Sequence, residues 1–233
     1  MINELQKLHR RDMPIESSKY TKEYVKGQVD YYIGITVPEL RKLSKMYYNV
    51  IDKPQLDELM SHKYHEYRLE SLFILEQRMK KAKELSQQKE IIDYYLKNLK
   101  YVNNWDLVDA SAYQLLGKYL YNIKNYLLLY KLSKSNDLWK KRISIVSTNY
   151  LIKNNIFNVT IDIVNNLLED KHDLIHKANG WMLRNLGDKD KKLLTKYLFE
   201  NYSKIPRTTL RYAIEHYEEP IRKAILKGDF SWK

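Results

Sequence analysis

Trp105 and Asp109 stand four residues apart in Asn104-Trp105-Asp106-Leu107-Val108-Asp109, a spacing that places both side chains on one face of a helix. An indole beside a carboxylate suits positive charge. The ring face carries negative quadrupole density, and the carboxylate carries a full charge. Cations recur around this pair at a regular interval. The segments His65-Glu66-Tyr67-Arg68-Leu69, Trp105-Asp106-Leu107-Val108-Asp109, Trp139-Lys140-Lys141-Arg142-Ile143, Lys177-Ala178 and Arg211-Tyr212 align. Their fourth column reads Arg68, Val108, Arg142, Lys177 and Arg211, at intervals of 40, 34, 35 and 34 residues. The next column reads Leu69, Asp109, Ile143, Ala178 and Tyr212, so Asp109 interrupts a mostly apolar column. A carboxylate there costs free energy unless something compensates it. Two readings stay open. Asp109 pairs with Arg142 or another cation to staple neighbouring helices, or it faces a groove and acts on a ligand.

The elements that must carry these residues read as helices. Ile74, Leu75 and Met79 follow Leu69 and Leu72 at three-to-five steps, and Ile143, Val146 and Leu151 behave alike. Pro38 can begin a helix, Asn103-Asn104 precedes another as caps, and Gly187-Asp188 closes one. Pro206 and Pro220 sit near later starts. Roughly a dozen helices of about 8–18 residues fit the chain. Six Gly and five Pro in 233 residues are too few for the turns of an all-β fold. No Ser/Gly-rich linker divides the chain, so residues 1–233 read as a single domain. A cationic position recurring every mid-thirties of residues predicts an all-α solenoid of stacked helical pairs, whose cations either share one concave, positively charged face or form ordinary ion pairs within the repeats.

Composition narrows the function classes. There is no cysteine, which excludes disulfides, thiolate nucleophiles and thiolate-bound zinc. The six histidines (His9, His62, His65, His172, His176 and His216) show no spacing such as H-E-x-x-H. His62 and His65, at i,i+3, lack a clear carboxylate partner set and read as surface residues. No metal site is expected. No apolar run approaches the ~18 residues of a membrane span, and Met1-Ile2-Asn3-Glu4 is polar, so a cytoplasmic chain is expected. The 41 Lys and Arg exceed the 29 Asp and Glu, giving +12. Such a surface attracts a polyanion, nucleic acid being the commonest in a cell, or simply maintains solubility.

Several segments together resemble one family. They are Tyr24-Val25-Lys26, Tyr32-Ile33-Gly34-Ile35-Thr36-Val37-Pro38 and Asn104-Trp105-Asp106-Leu107-Val108-Asp109, then Leu138-Trp139-Lys140-Lys141-Arg142, His176-Lys177-Ala178-Asn179-Gly180-Trp181-Met182-Leu183-Arg184 and Leu210-Arg211-Tyr212-Ala213-Ile214-Glu215. In order and separation they resemble the AlkD-type DNA alkylation repair proteins, DNA glycosylases built from HEAT-like repeats. The stretch through Ser18 carries little of the resemblance and matches poorly as an amino-terminal helix. The resemblance implies a right-handed superhelix that removes cationic N3- and N7-alkylated purines from duplex DNA, as a monomer, without metal or cofactor. By the same resemblance the functional set is Asp109, Trp105, Trp181 and Arg142, with Tyr24 near the lesion.

The chemistry suits those residues. Breaking an N-glycosidic bond develops positive charge on the sugar, which one carboxylate can stabilise while activating water. The base is already cationic and departs neutral, so no general acid is required. Arg142 is expected to grip a phosphate, with Lys177, Arg184 and Arg211 as further contacts, although Arg184 equally suits a helix-surface ion pair. Lys177 and Trp181 share a helical face. Trp139 reads as packing and Trp232 as part of a frayed end. The alternatives are a non-catalytic HEAT-like module binding damaged or branched DNA, and a protein-binding solenoid that meets an acidic partner.

Overall fold

The structure is a computed structural model that describes residues 2–8, 24–26 and 30–232. Its regular elements are helical, and among the described residues the one β-type contact is an isolated bridge between Tyr31 and Tyr64. The chain is all-α. It divides into two compact units, Met1–Leu115 and Leu116–Lys233.

The first unit carries α1 (Ile2–Leu8), α2 (Val37–Tyr47), α3 (Lys53–Met60), α4 (His65–Lys81), α5 (Leu85–Lys97) and α6 (Trp105–Ser111). Pro38 lies in the first turn of α2, and Thr36 forms a reciprocal cap with Glu39. Helix α4 packs against α2, α3, α5 and α6, and every residue from His65 to Gln77 is buried. Leu69, Leu72, Ile74, Leu75 and Met79 form its apolar core.

Polar groups on so central a helix cost free energy unless they are satisfied, and Glu66 and Glu76 are satisfied. Gly34 adopts φ 81°, the left-handed region open to glycine, in the segment whose Ile33 and Gly34 amides donate to Glu66. Arg41 and Lys80 pair with Glu76.

The second unit carries α7 (Lys118–Asn122), α8 (Leu127–Ser133), α9 (Leu138–Lys153), α10 (Asn158–Leu167), α11 (Asp173–Lys189), α12 (Lys191–Asn201), α13 (Arg207–Ala213) and α14 (Glu219–Leu226). Helices α9, α11 and α13 pack side by side. Helices α8 and α10 lie against α9, and α12 lies against α11. Pro206 precedes α13 and Pro220 lies in the first turn of α14.

Two local expectations are corrected. Helix α11 runs through Gly187-Asp188 to Lys189, because Asp190 is the residue whose side chain caps α12. Trp232 is held rather than frayed. Its ring stacks on Phe230, meets Tyr217 edge-on, and donates from Nε1 to the Asp229 carbonyl.

Side-chain bonds recur at the interval of the cation column. In the first unit they include Ile33 to Glu66 and Arg41 to Glu76, separated by 33 and 35 residues. In the second, Tyr130 to Asp162, Asn166 to Ser133, Tyr197 to Asn165, Asn185 to Asn149 and Thr209 to His176 span 32 to 36 residues. Residues about one period apart are therefore spatial neighbours within each unit.

Candidate functional site

Helix α6 has seven residues, too few to persist by itself in water. Burial anchors one side: Leu107, Val108, Ser111 and the following Ala112 are all at 0% exposure. The Ser111 hydroxyl meets the Tyr95 hydroxyl of α5 at 3.2 Å. At the other end the buried Asn104 caps the helix, accepting from the Trp105 amide at 2.7 Å. Trp105 and Asp109 lie along the edge of this anchored face and are both half-buried.

The anchor continues into a buried polar chain. His65, 2% exposed on α4, places Nδ1 3.0 Å from Asp30 Oδ2 and Nε2 2.7 Å from Asp106 Oδ2. Arg68 pairs with the other Asp30 oxygen, and Asn104 donates to Asp30 at 2.7 Å. The Tyr32 ring stacks on the imidazole at 4.7 Å. Burial opposes a charge on His65, but Asp106 first and Asp30 second outweigh it and lift the imidazole to about 9. Burial likewise opposes ionisation of Asp30, yet His65, Arg68 and Asn104 bring its carboxyl down to about 2. Two cations thus face two carboxylates inside the unit, and α6 is tied to the core through its first turn.

By local spacing His65 reads as a surface residue, and the structure corrects this by burying it. No local spacing could reveal its partners, since Asp30 lies 35 residues before it and Asp106 lies 41 after it. The repeat interval was the available signal. A histidine in a stacked helical array is best paired with carboxylates about one period away.

The other candidates lie on α9, α11 and α13, except Tyr24, which is half-buried in a turn of the first unit. On α11, Lys177, Trp181 and Arg184 share a face and are all half-buried. Lys177 pairs with Asp173 at 2.7 Å, and Arg184 pairs with Glu215. Arg211 of α13 is exposed. Arg142 differs from the expected open grip on phosphate. Its residue is 4% exposed, and its guanidinium donates to the Leu174 carbonyl at the start of α11. Trp139 is buried and belongs to the core, as its sequence context indicates.

With this geometry in place, comparison supplies a family. A model of the family described as DNA alkylation repair enzyme matches residues 1–217. The chain belongs to that family. A solved structure described as a predicted DNA alkylation repair enzyme from Enterococcus faecalis superposes with a TM-score of 0.65, covering 82% of this chain and 90% of that one. Sequence identity is 16%, so this likeness establishes shared fold. A comparison with curated proteins finds no match.

Membership in the DNA alkylation repair enzyme family gives the chain a role in DNA repair and makes DNA its partner. Among the described residues no group of three or more His, Asp or Glu side chains is placed to hold a metal ion. None of the described helices is long and apolar enough to cross a membrane.

Proposed function

We propose that this DNA alkylation repair enzyme is a monofunctional glycosylase that hydrolyses N3-alkyladenine and N7-alkylguanine nucleotides in duplex DNA. One observation carries the reading. Trp105 and Asp109 lie one turn apart at the edge of a short helix whose other side and first turn are fixed in the core.

In this reaction the bond between C1′ and the purine breaks, and its electron pair neutralises the cationic base as it leaves. Asp109 stabilises the positive charge left on the sugar. Water then adds at C1′ and gives up a proton, for which the same carboxylate is the acceptor. Trp105 holds the deoxyribose through its ring face, and Trp181 on α11 is the second indole of the expected set. Exposed Arg211 contacts the backbone, joined by Lys177 and Arg184 when phosphate competes for their acidic partners. Buried Arg142 braces α9 against α11 beneath this surface.

The test is release of N7-methylguanine from a methylated duplex under single-turnover conditions. Asp109→Asn should slow release by about 10²–10³-fold with duplex affinity unchanged. Duplex binding without base release by the parent protein would overturn the proposal in favour of a non-catalytic DNA-binding module.

A further inference from the structure

We infer that His65 is a positioning residue for the proposed glycosylase, an imidazolium clamp between Asp30 and Asp106 that holds α6, and so Trp105 and Asp109, in working register. The inference rests on the proposed function for its chemistry and on geometry for its mechanism. Helix α6 is too short to define its own orientation. Its first turn and its cap each have a side-chain tie into this chain of bonds, Asp106 to His65 and Asn104 to Asp30. Asp109 begins one turn further along the same rigid segment, so a tilt at Asp106 is transmitted to its carboxylate. A misplacement of about 1 Å at a reacting group can cost about 10²-fold in rate.

The clamp requires both ring nitrogens to carry protons. Each nitrogen faces a carboxylate oxygen, and neither oxygen can donate. A neutral ring has one proton, leaving a nitrogen lone pair against an oxygen lone pair at one end. The groups that face the ring are Asp30, Asp106 and Tyr32, with Arg68 on the same helix contacting Asp30 from the far side. Together the carboxylates favour the protonated ring, and the clamp releases as pH rises through about 9.

Two variants and two readouts test this. His65→Asn should lower the single-turnover rate of base release by about 10–10²-fold with duplex affinity unchanged. Asp106→Asn keeps an acceptor oxygen for the ring but removes its charge. The alkaline fall in rate should then move down by about one pH unit or more, whereas a packing role alone would leave the profile in place. A parental rate in His65→Asn, or an unmoved alkaline limb in Asp106→Asn, overturns the clamp. The second readout needs no chemistry. Amide resonances of Trp105 to Ser111 should titrate with the same midpoint as the His65 ring, and their insensitivity to that titration also overturns the clamp. Failure of the parent to release base refutes the glycosylase proposal, and the resonance experiment still decides the clamp.

Discussion

Glu70 of α4 is at 0% exposure, and neither carboxyl oxygen has a hydrogen-bond partner among the described residues. Burial raises its carboxyl to about 9. The folded protein therefore carries a proton there that the unfolded chain has lost above about pH 4.3. Stability from this group falls as pH rises from that value toward about 9. Glu70→Met, of similar length and apolar, should raise the melting temperature, with a gain that grows across this window. A gain independent of pH would show that the carboxyl is not held protonated. Glu70 and His65 were both hidden in the sequence, for opposite reasons. One sits in a helical run that reads as amphipathic but is buried all round, and the other has partners 35 and 41 residues away. Trp105 and Asp109 were legible because their relation is local, one helical turn.

Close approach governs the element scale. A Cβ added at Gly180 of α11 would sit 2.6 Å from the Thr209 carbonyl oxygen and against the Tyr212 Cβ of α13. Replacing Gly by Ala inside a helix ordinarily gains about 1 kcal/mol. Here the contact is with backbone and cannot swing away. Overpacking of about 1–3 kcal/mol should dominate. Gly180→Ala is expected to lower the melting temperature, and a rise would show that α11 and α13 separate at little cost. Helix starts were readable because Pro38, Asn104, Pro206 and Pro220 act through their own backbone or cap chemistry. The end of α11 was not. There Gly187, which looked like a stop, serves packing, and Asp190 sets the boundary.

The whole molecule carries +12, yet several individual cations are engaged within each unit. Arg68 is buried with Asp30, Lys141 pairs with Asp170, and Lys177 with Asp173. A repeating column of cations is thus partly a column of internal braces, which sequence alone left open. Exposed Arg211 provides the clean test. The logarithm of the duplex association constant should fall linearly with the logarithm of salt concentration, and Arg211→Ala should reduce that slope by about one. An unchanged slope removes Arg211 from the interface. The fold class was legible because helical periodicity is repeated along the chain. The division at Leu115/Leu116 was not, since it falls inside the π-helical turn Tyr113–Gly117 without any Gly/Ser-rich linker.

The bonds between residues 32 to 36 positions apart have a kinetic meaning. Each closes a stretch of nearly the same length, so the entropic barrier to making one is nearly the barrier to making the next. Among these second-unit bonds no step has to wait for an encounter between distant ends of the unit. Once one helical pair has docked, its neighbour finds a finished template and adds to it, and ordering spreads along the second unit like crystal growth on a seed.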